Sequence, residues 1–135
     1  MAIVVDASVL AECLVDSPLG RRAWTTMSQE PGGLHLPHLA GIEATSVLRR
    51  WVRAGVVPEP RAREALADLG LLRARRWPVE PLLDRIWEFR DNLSAYDAAY
   101  VALAESLDAT LLTSDARLAR GSEGRGRCRI VVVST

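Results

Sequence analysis

Short, unbroken apolar runs separated by longer stretches of helical period constrain this chain more than any other feature. Ile3-Val4-Val5, Leu111-Leu112 and Ile130 to Val133 are too short for buried helices and show no polar alternation. A strand that is apolar at consecutive positions must be buried on both faces, as strands are in a parallel sheet covered by helices. Met1 to Val5 therefore reads as a first strand ending at Asp6, with a helix over Ser8 to Val15 entered directly from it. Leu19 to Gln29 is a second helix, and Pro31-Gly32-Gly33 stops it before a short strand over Leu34 to Leu36.

From Leu39 to Ala54 the period is helical, with Ala44, Val47, Leu48, Trp51 and Val52 on one arc and Arg49, Arg50 and Arg53 on the other. Gly55 ends it. Pro60 to Leu72 and Pro81 to Arg90 each open with proline in a first helical turn, and Arg76-Trp77-Pro78-Val79 between them is a strand candidate whose proline marks its end. Tyr96, Tyr100, Leu103 and Leu107 form a stripe on a further helix, whose alanine-rich sides predict close packing against a sheet. Thr110 to Thr113 reads as a strand, Ala116 to Arg120 as a short helix, Gly121 to Gly126 as a turn and Ile130 to Val133 as a closing strand. The expected fold is α/β, a short, mostly parallel central sheet flanked by helices on both faces.

At 135 residues the chain suits one domain over 1–135, with a single site built from its whole length. No apolar run approaches the length that spans a bilayer and no basic-then-apolar leader opens the chain, so the expectation is a cytoplasmic protein without a membrane partner. Cys13 and Cys128 have no CxxC spacing and suit a reducing compartment, with neither disulfide nor zinc site. The formal net charge is zero, which removes any global basic field for holding duplex DNA; nucleic acid must be gripped locally. All 17 basic residues are arginine, which excludes a Walker-A lysine, a Schiff-base lysine and a lysine phosphate clamp.

In an open α/β sheet ligands lie beyond the carboxyl ends of the strands, where strand order reverses. Asp6 and Asp115 each stand at such an end, Asp97 lies in the first turn of its helix, and Glu43 borders the apolar arc of another. Singly, each has an ordinary explanation: Asp6 and Asp115 as helix caps, Ser94 to Asp97 as a capping box, Glu43 as a solvated acid. Jointly, four converging carboxylates would raise one another's pKa unless cations lay between them. Magnesium is the ion that such hard oxygens select, with manganese a substitute, and His35 and His38 read as ordinary polar residues because no third nitrogen or sulfur ligand accompanies them.

The segments carrying these acids are VVDASVL within Ile3–Leu10, LPHLAGIEATSVLRR at Leu36–Arg50, SAYDAAYVALAE at Ser94–Glu105 and LLTSDARLA at Leu111–Ala119. Together they resemble the PIN domain, most closely the VapC toxins of bacterial type II toxin–antitoxin pairs. The resemblance implies a metal-dependent ribonuclease in which Asp6, Glu43, Asp97 and Asp115 form the acidic quartet that binds metal, with Ser8 and Thr113 supporting it. It also implies an RNA substrate, a cognate antitoxin and a homodimer. Ser46 stands where many relatives have asparagine, three residues from Glu43.

Other readings remain open at this point. An aspartyl-phosphate at Asp6 is disfavoured by the missing lysine and by Ser8, where such phosphatases carry a second aspartate. A binding module that kept the fold without nuclease turnover is a non-enzymatic alternative. Arg49, Arg50, Arg117 and Arg120 are candidates for gripping phosphate, although exposed helical arginines commonly form a solvated face. Trp24, Trp51, Trp77 and Trp87 suit core packing; any that are exposed would point to a dimer face or a groove for an antitoxin helix.

Overall fold

The computed structural model describes residues 1–134. In chain order the elements are β1 (Ile3–Val5), α1 (Ala7–Leu14), α2 (Pro18–Ser28), β2 (Leu34–Pro37), α3 (Ala40–Arg53), α4 (Glu59–Leu71), β3 (Arg75–Trp77), α5 (Leu83–Glu88), α6 (Ala95–Ser106), β4 (Thr110–Thr113), α7 (Ala116–Ser122) and β5 (Arg129–Val132). The five strands form one sheet in the order β3-β2-β1-β4-β5, parallel at every pairing. The expectation of a mostly parallel sheet is met by a wholly parallel one.

The chain lays β2 and β3 on one side of β1 and then β4 and β5 on the other, so strand order reverses between β1 and β4. Val5 pairs with Leu112, and the Asp6 N–H donates to the Leu112 carbonyl at 3.1 Å, which fixes the carboxyl ends of the two central strands side by side. Ile3 to Val5 and Thr110 to Thr113 are buried at every position, as a sheet covered on both faces requires. The outer strand β3 exposes Arg75 and Arg76.

Helix packing follows from small residues. Ala98 to Ala104 of α6 are all buried, and the helix lies against β1, β2 and β4, as its alanine-rich sides predict. At the crossing of α1 and α2, a Cβ added to Gly20 would fall 2.1 Å from the Glu12 carbonyl oxygen, so the two backbones approach this closely only because glycine stands there.

Three expectations need correction. The helix read over Pro81 to Arg90 is split: a 3₁₀ turn over Glu80–Leu82 precedes α5, which ends at Glu88. The strand candidate at Arg76 to Val79 lies earlier, at Arg75–Trp77, because Pro78 has no N–H to extend the ladder. Tyr96 is 61% exposed rather than part of a buried stripe, since it occupies the first turn of α6, at the rim of the sheet. Of the tryptophans, Trp51 and Trp77 pack against the core while Trp24 and Trp87 are exposed. Among the described residues no helix is long and apolar enough to cross a membrane.

Candidate active site

The ends of β1 and β4, the start of α6 and the first turns of α3 enclose a cleft of about 340 Å³. All four predicted acids line it, together with Ser8, Ser46, Arg50 and two tyrosines, Tyr96 and Tyr100. Of the other candidate arginines, Arg117 pairs with Asp115, and Arg49 and Arg120 do not line the cleft.

Asp6 is at once a helix cap and a cleft residue. Its Oδ1 accepts the Val9 N–H at 3.0 Å, closing the first turn of α1, and its Oδ2 accepts the hydroxyl of the fully buried Thr113. Burial pushes its pKa up to about 6, against the two hydrogen bonds that lower it, and Asp97 and Asp115 push in the same direction as burial. The Thr113 oxygen also accepts the Asp115 N–H at 3.0 Å, so one hydroxyl locks the two strand-end aspartates together.

Asp97 and Glu43 are likewise raised, first by burial and then by a neighbouring acid, Asp115 for Asp97 and Asp97 for Glu43. Ser94 Oγ caps α6 by accepting the Asp97 N–H at 3.1 Å, and its nearness acts to lower the Asp97 pKa against burial. Asp115 behaves differently. Burial acts to raise its pKa, but the Arg117 side chain and N–H outweigh it and hold the carboxyl below its ordinary value. The guanidinium lies 3.3 Å from Oδ1 and 3.4 Å from Oδ2, while Oδ1 also caps α7 by accepting the Arg117 N–H at 2.8 Å. The upward shift expected for all four acids is therefore found in three, with burial its first cause and mutual repulsion adding to it. Ser8 lines the cleft without a hydrogen bond to any of the four among the described residues.

The donor set suits a hard divalent cation in kind: carboxylates from four elements, no cysteine or histidine among the cleft residues, and raised pKa values that a cation would relieve. Among the described residues no three His, Cys, Asp or Glu side chains already stand close enough to hold an ion jointly. Holding one here requires small side-chain rotations or bridging waters, and magnesium usually keeps several waters of its own.

Residues 3–123 match the family model of the PIN domain. The chain belongs to the PIN-domain family. It is similar to the VapC ribonuclease Mb0985 of Mycobacterium bovis, 42% identical over 131 residues that cover 97% of this chain and 98% of the relative. It is also similar to ribonuclease VapC1 of Mycobacterium tuberculosis, 38% identical over 86% of this chain and 87% of that protein. Among solved structures, PAE2754 from Pyrobaculum aerophilum superposes with a TM-score of 0.66 at 26% identity, covering 96% of this chain and 83% of that one. VapBC2 from Rickettsia felis, bound to a promoter DNA fragment, superposes at 0.69 with 10% identity over 99% of this chain and 100% of that one, a likeness of fold alone.

Sequence reasoning missed Tyr100 as a cleft residue. The helical stripe correctly placed its ring in the core, but a stripe is silent about where a long side chain ends. Its spacing from Asp97, three residues along α6, was the available signal, because side chains so spaced share a helix face.

Proposed function

We propose that this chain is a magnesium-dependent endoribonuclease, with manganese as a substitute, acting as the toxin of a toxin–antitoxin pair and neutralised by a cognate antitoxin. The gathering of Asp6, Glu43, Asp97 and Asp115 in one cleft, in a chain similar to VapC ribonucleases over nearly its whole length, carries this reading. Asp6 and Asp97 would hold the ion, and Asp115 and Glu43 would complete its surroundings directly or through water. When bound, the ion supplies an acidified water and offsets charge on the phosphate and the leaving oxygen.

The chain's own residues prepare that chemistry. Val9 N–H and the Thr113 hydroxyl each take one oxygen of Asp6, fixing the carboxylate while leaving further lone pairs for the cleft. Arg50, on the cleft wall, would meet a phosphate entering it, and Arg117 is held against Asp115. The exposed Trp24 and Trp87, with an apolar groove of about 530 Å³ beside Trp24, support a protein partner and a homodimer.

The test is RNA cleavage by purified protein with magnesium, manganese, zinc alone or excess chelator, beside the variant Asp6→Asn. Cleavage is expected with the first two metals only and is expected to be lost in Asp6→Asn. Full activity in chelator overturns the metal mechanism. Light scattering of the protein, alone and co-expressed with its antitoxin, is expected to give a dimer and a larger complex; a strict monomer at high concentration contradicts the self-association.

A further inference from the structure

Buried polar groups nearly always find a hydrogen-bond partner, and one that lacks it needs an explanation. Among the described residues, the Tyr100 hydroxyl is the sole buried side-chain nitrogen or oxygen without a partner. The residue is 1% exposed, yet it lines the acid cleft. It stands one helical turn beyond Asp97 on α6, on the same face. A phenol can donate, whereas ionised carboxylates only accept, so a neutral donor among acids has an obvious use. Glu43 is the acid that bears on this hydroxyl most strongly, ahead of Asp6 and Asp97. Glu43 itself sits half-buried in the first turn of α3, and no other hydrogen bond fixes its carboxylate among the described residues.

We propose that Tyr100 is a positioning residue: on a side-chain rotation of Glu43, the otherwise unpartnered Tyr100 hydroxyl donates to one oxygen of Glu43, holding that carboxylate in one orientation with the second oxygen facing the reacting water. Tyr100 does not touch the substrate in this account. It removes rotational freedom from a glutamate that would otherwise sample several rotamers, and it does so from a rigid helix whose neighbouring positions are fully buried. A tyrosine kept only to fill the core would be replaced by phenylalanine without loss, since the hydroxyl makes no bond that the fold needs.

The inference rests on the ribonuclease reading, and its experiment separates the two. Tyr100→Phe removes one oxygen and preserves the ring. The metal-free variant is expected to melt at or above the wild-type temperature, and to bind manganese several-fold more weakly by calorimetry. Its kcat on RNA is expected to fall about 10- to 100-fold, the usual cost of losing a group that orients a metal-site ligand, with KM nearly unchanged. In a Glu43→Gln background, Tyr100→Phe is expected to add little, because the carboxylate it positions is gone. A wild-type kcat in Tyr100→Phe, a full independent loss in the Glu43→Gln background, or a sharp drop in metal-free melting temperature would each overturn the proposal. If the wild type cut no RNA, the ribonuclease reading would fail by itself. Manganese affinity would then decide Tyr100: weakened in the variant, it supports the positioning role, and unchanged, it removes it.

Discussion

Helix α6 carries a carboxylate at each end, Asp97 in its first turn and Glu105 in its last, and the molecule treats the two ends in opposite ways. Glu105 is matched by a cation. Arg85 reaches it with two nitrogens, at 2.7 and 3.0 Å, and the Arg127 N–H adds a third donor at 2.6 Å. The same guanidinium lies 4.4 Å from the Phe89 ring centroid and donates to the Arg125 carbonyl, tying the segment before β5 to α5 and α6. At the other end Asp97 faces Asp6, Glu43 and Asp115, and the deepest of these, Asp6, is bonded only to neutral donors. Charge that serves the fold is neutralised within the chain. At the cleft Asp115 has a cation, Arg117, but among the described residues Asp6, Glu43 and Asp97 have no ion-pair partner, at some cost to the fold, and this is the condition of a site that takes a cation from solution.

The largest expected difference between the two ends is in activity. Asp97→Asn keeps the size of the side chain and removes its charge. RNA cleavage is expected to fall about a thousandfold, the scale of losing one electrostatic stabiliser of the transition state, with metal-free stability no lower. If Asp97 serves only to shape the start of α6, the loss would instead be about 1 kcal/mol or less of stability, with cleavage intact. Glu105→Gln should do the reverse. Removing one charge from this partly buried pair, with Glu88 still 3.0 Å from Arg85, is expected to cost about 1–2 kcal/mol in urea denaturation, with cleavage per folded molecule unchanged.

A smaller effect separates the ends by pH. Asp6 titrates near 6 in the folded protein against an ordinary value of 3.8, so between those values the folded state holds more protons than the unfolded one. Stability from this group therefore rises as pH falls from 7 to 5, by about 1 kcal/mol, and is lost again as pH climbs through 6. The difference in this gain between metal-free wild type and Asp6→Asn, each melted at both pH values, measures it, because Asp97 and Glu43 are raised too and add gains of their own. The smallest effect is expected from Arg117→Ala. The guanidinium is exposed, so stability should change by less than about 0.5 kcal/mol, while the Asp115 carboxyl, observed by NMR titration, moves upward.

Much of this arrangement is legible in the sequence because strand ends and helix starts are marked by residue type. The apolar runs located the central strands, and Asp6, directly after β1, and Asp115, two residues past the end of β4, lie at the switch point, where the cleft is. The cap and site readings are not rivals in the folded chain. Asp6 and Asp115 each cap a helix and line the cleft, since a carboxylate with two oxygens can close a first turn with one and face a ligand with what remains. Side-chain direction was the part sequence could not give. The pairing of Asp115 with Arg117 depends on rotamers, the exposure of Tyr96 on its place at the edge of the sheet, and the unpartnered hydroxyl of Tyr100 on where a buried ring ends. The Arg85–Glu105 pair joins residues 20 apart in sequence on two helices, and no local pattern announces it.

The most direct test of the comparison is thermal melting, with and without magnesium, of three proteins: wild type, Asp97→Asn and Glu105→Gln. A cation that binds only the folded state raises the melting temperature by mass action. The predicted result is a saturable rise in wild type, an equal rise in Glu105→Gln from its lower baseline, and little rise in Asp97→Asn. Equal rises in all three, or no rise in wild type, would contradict the claim that the unneutralised end of α6 is where the cation binds.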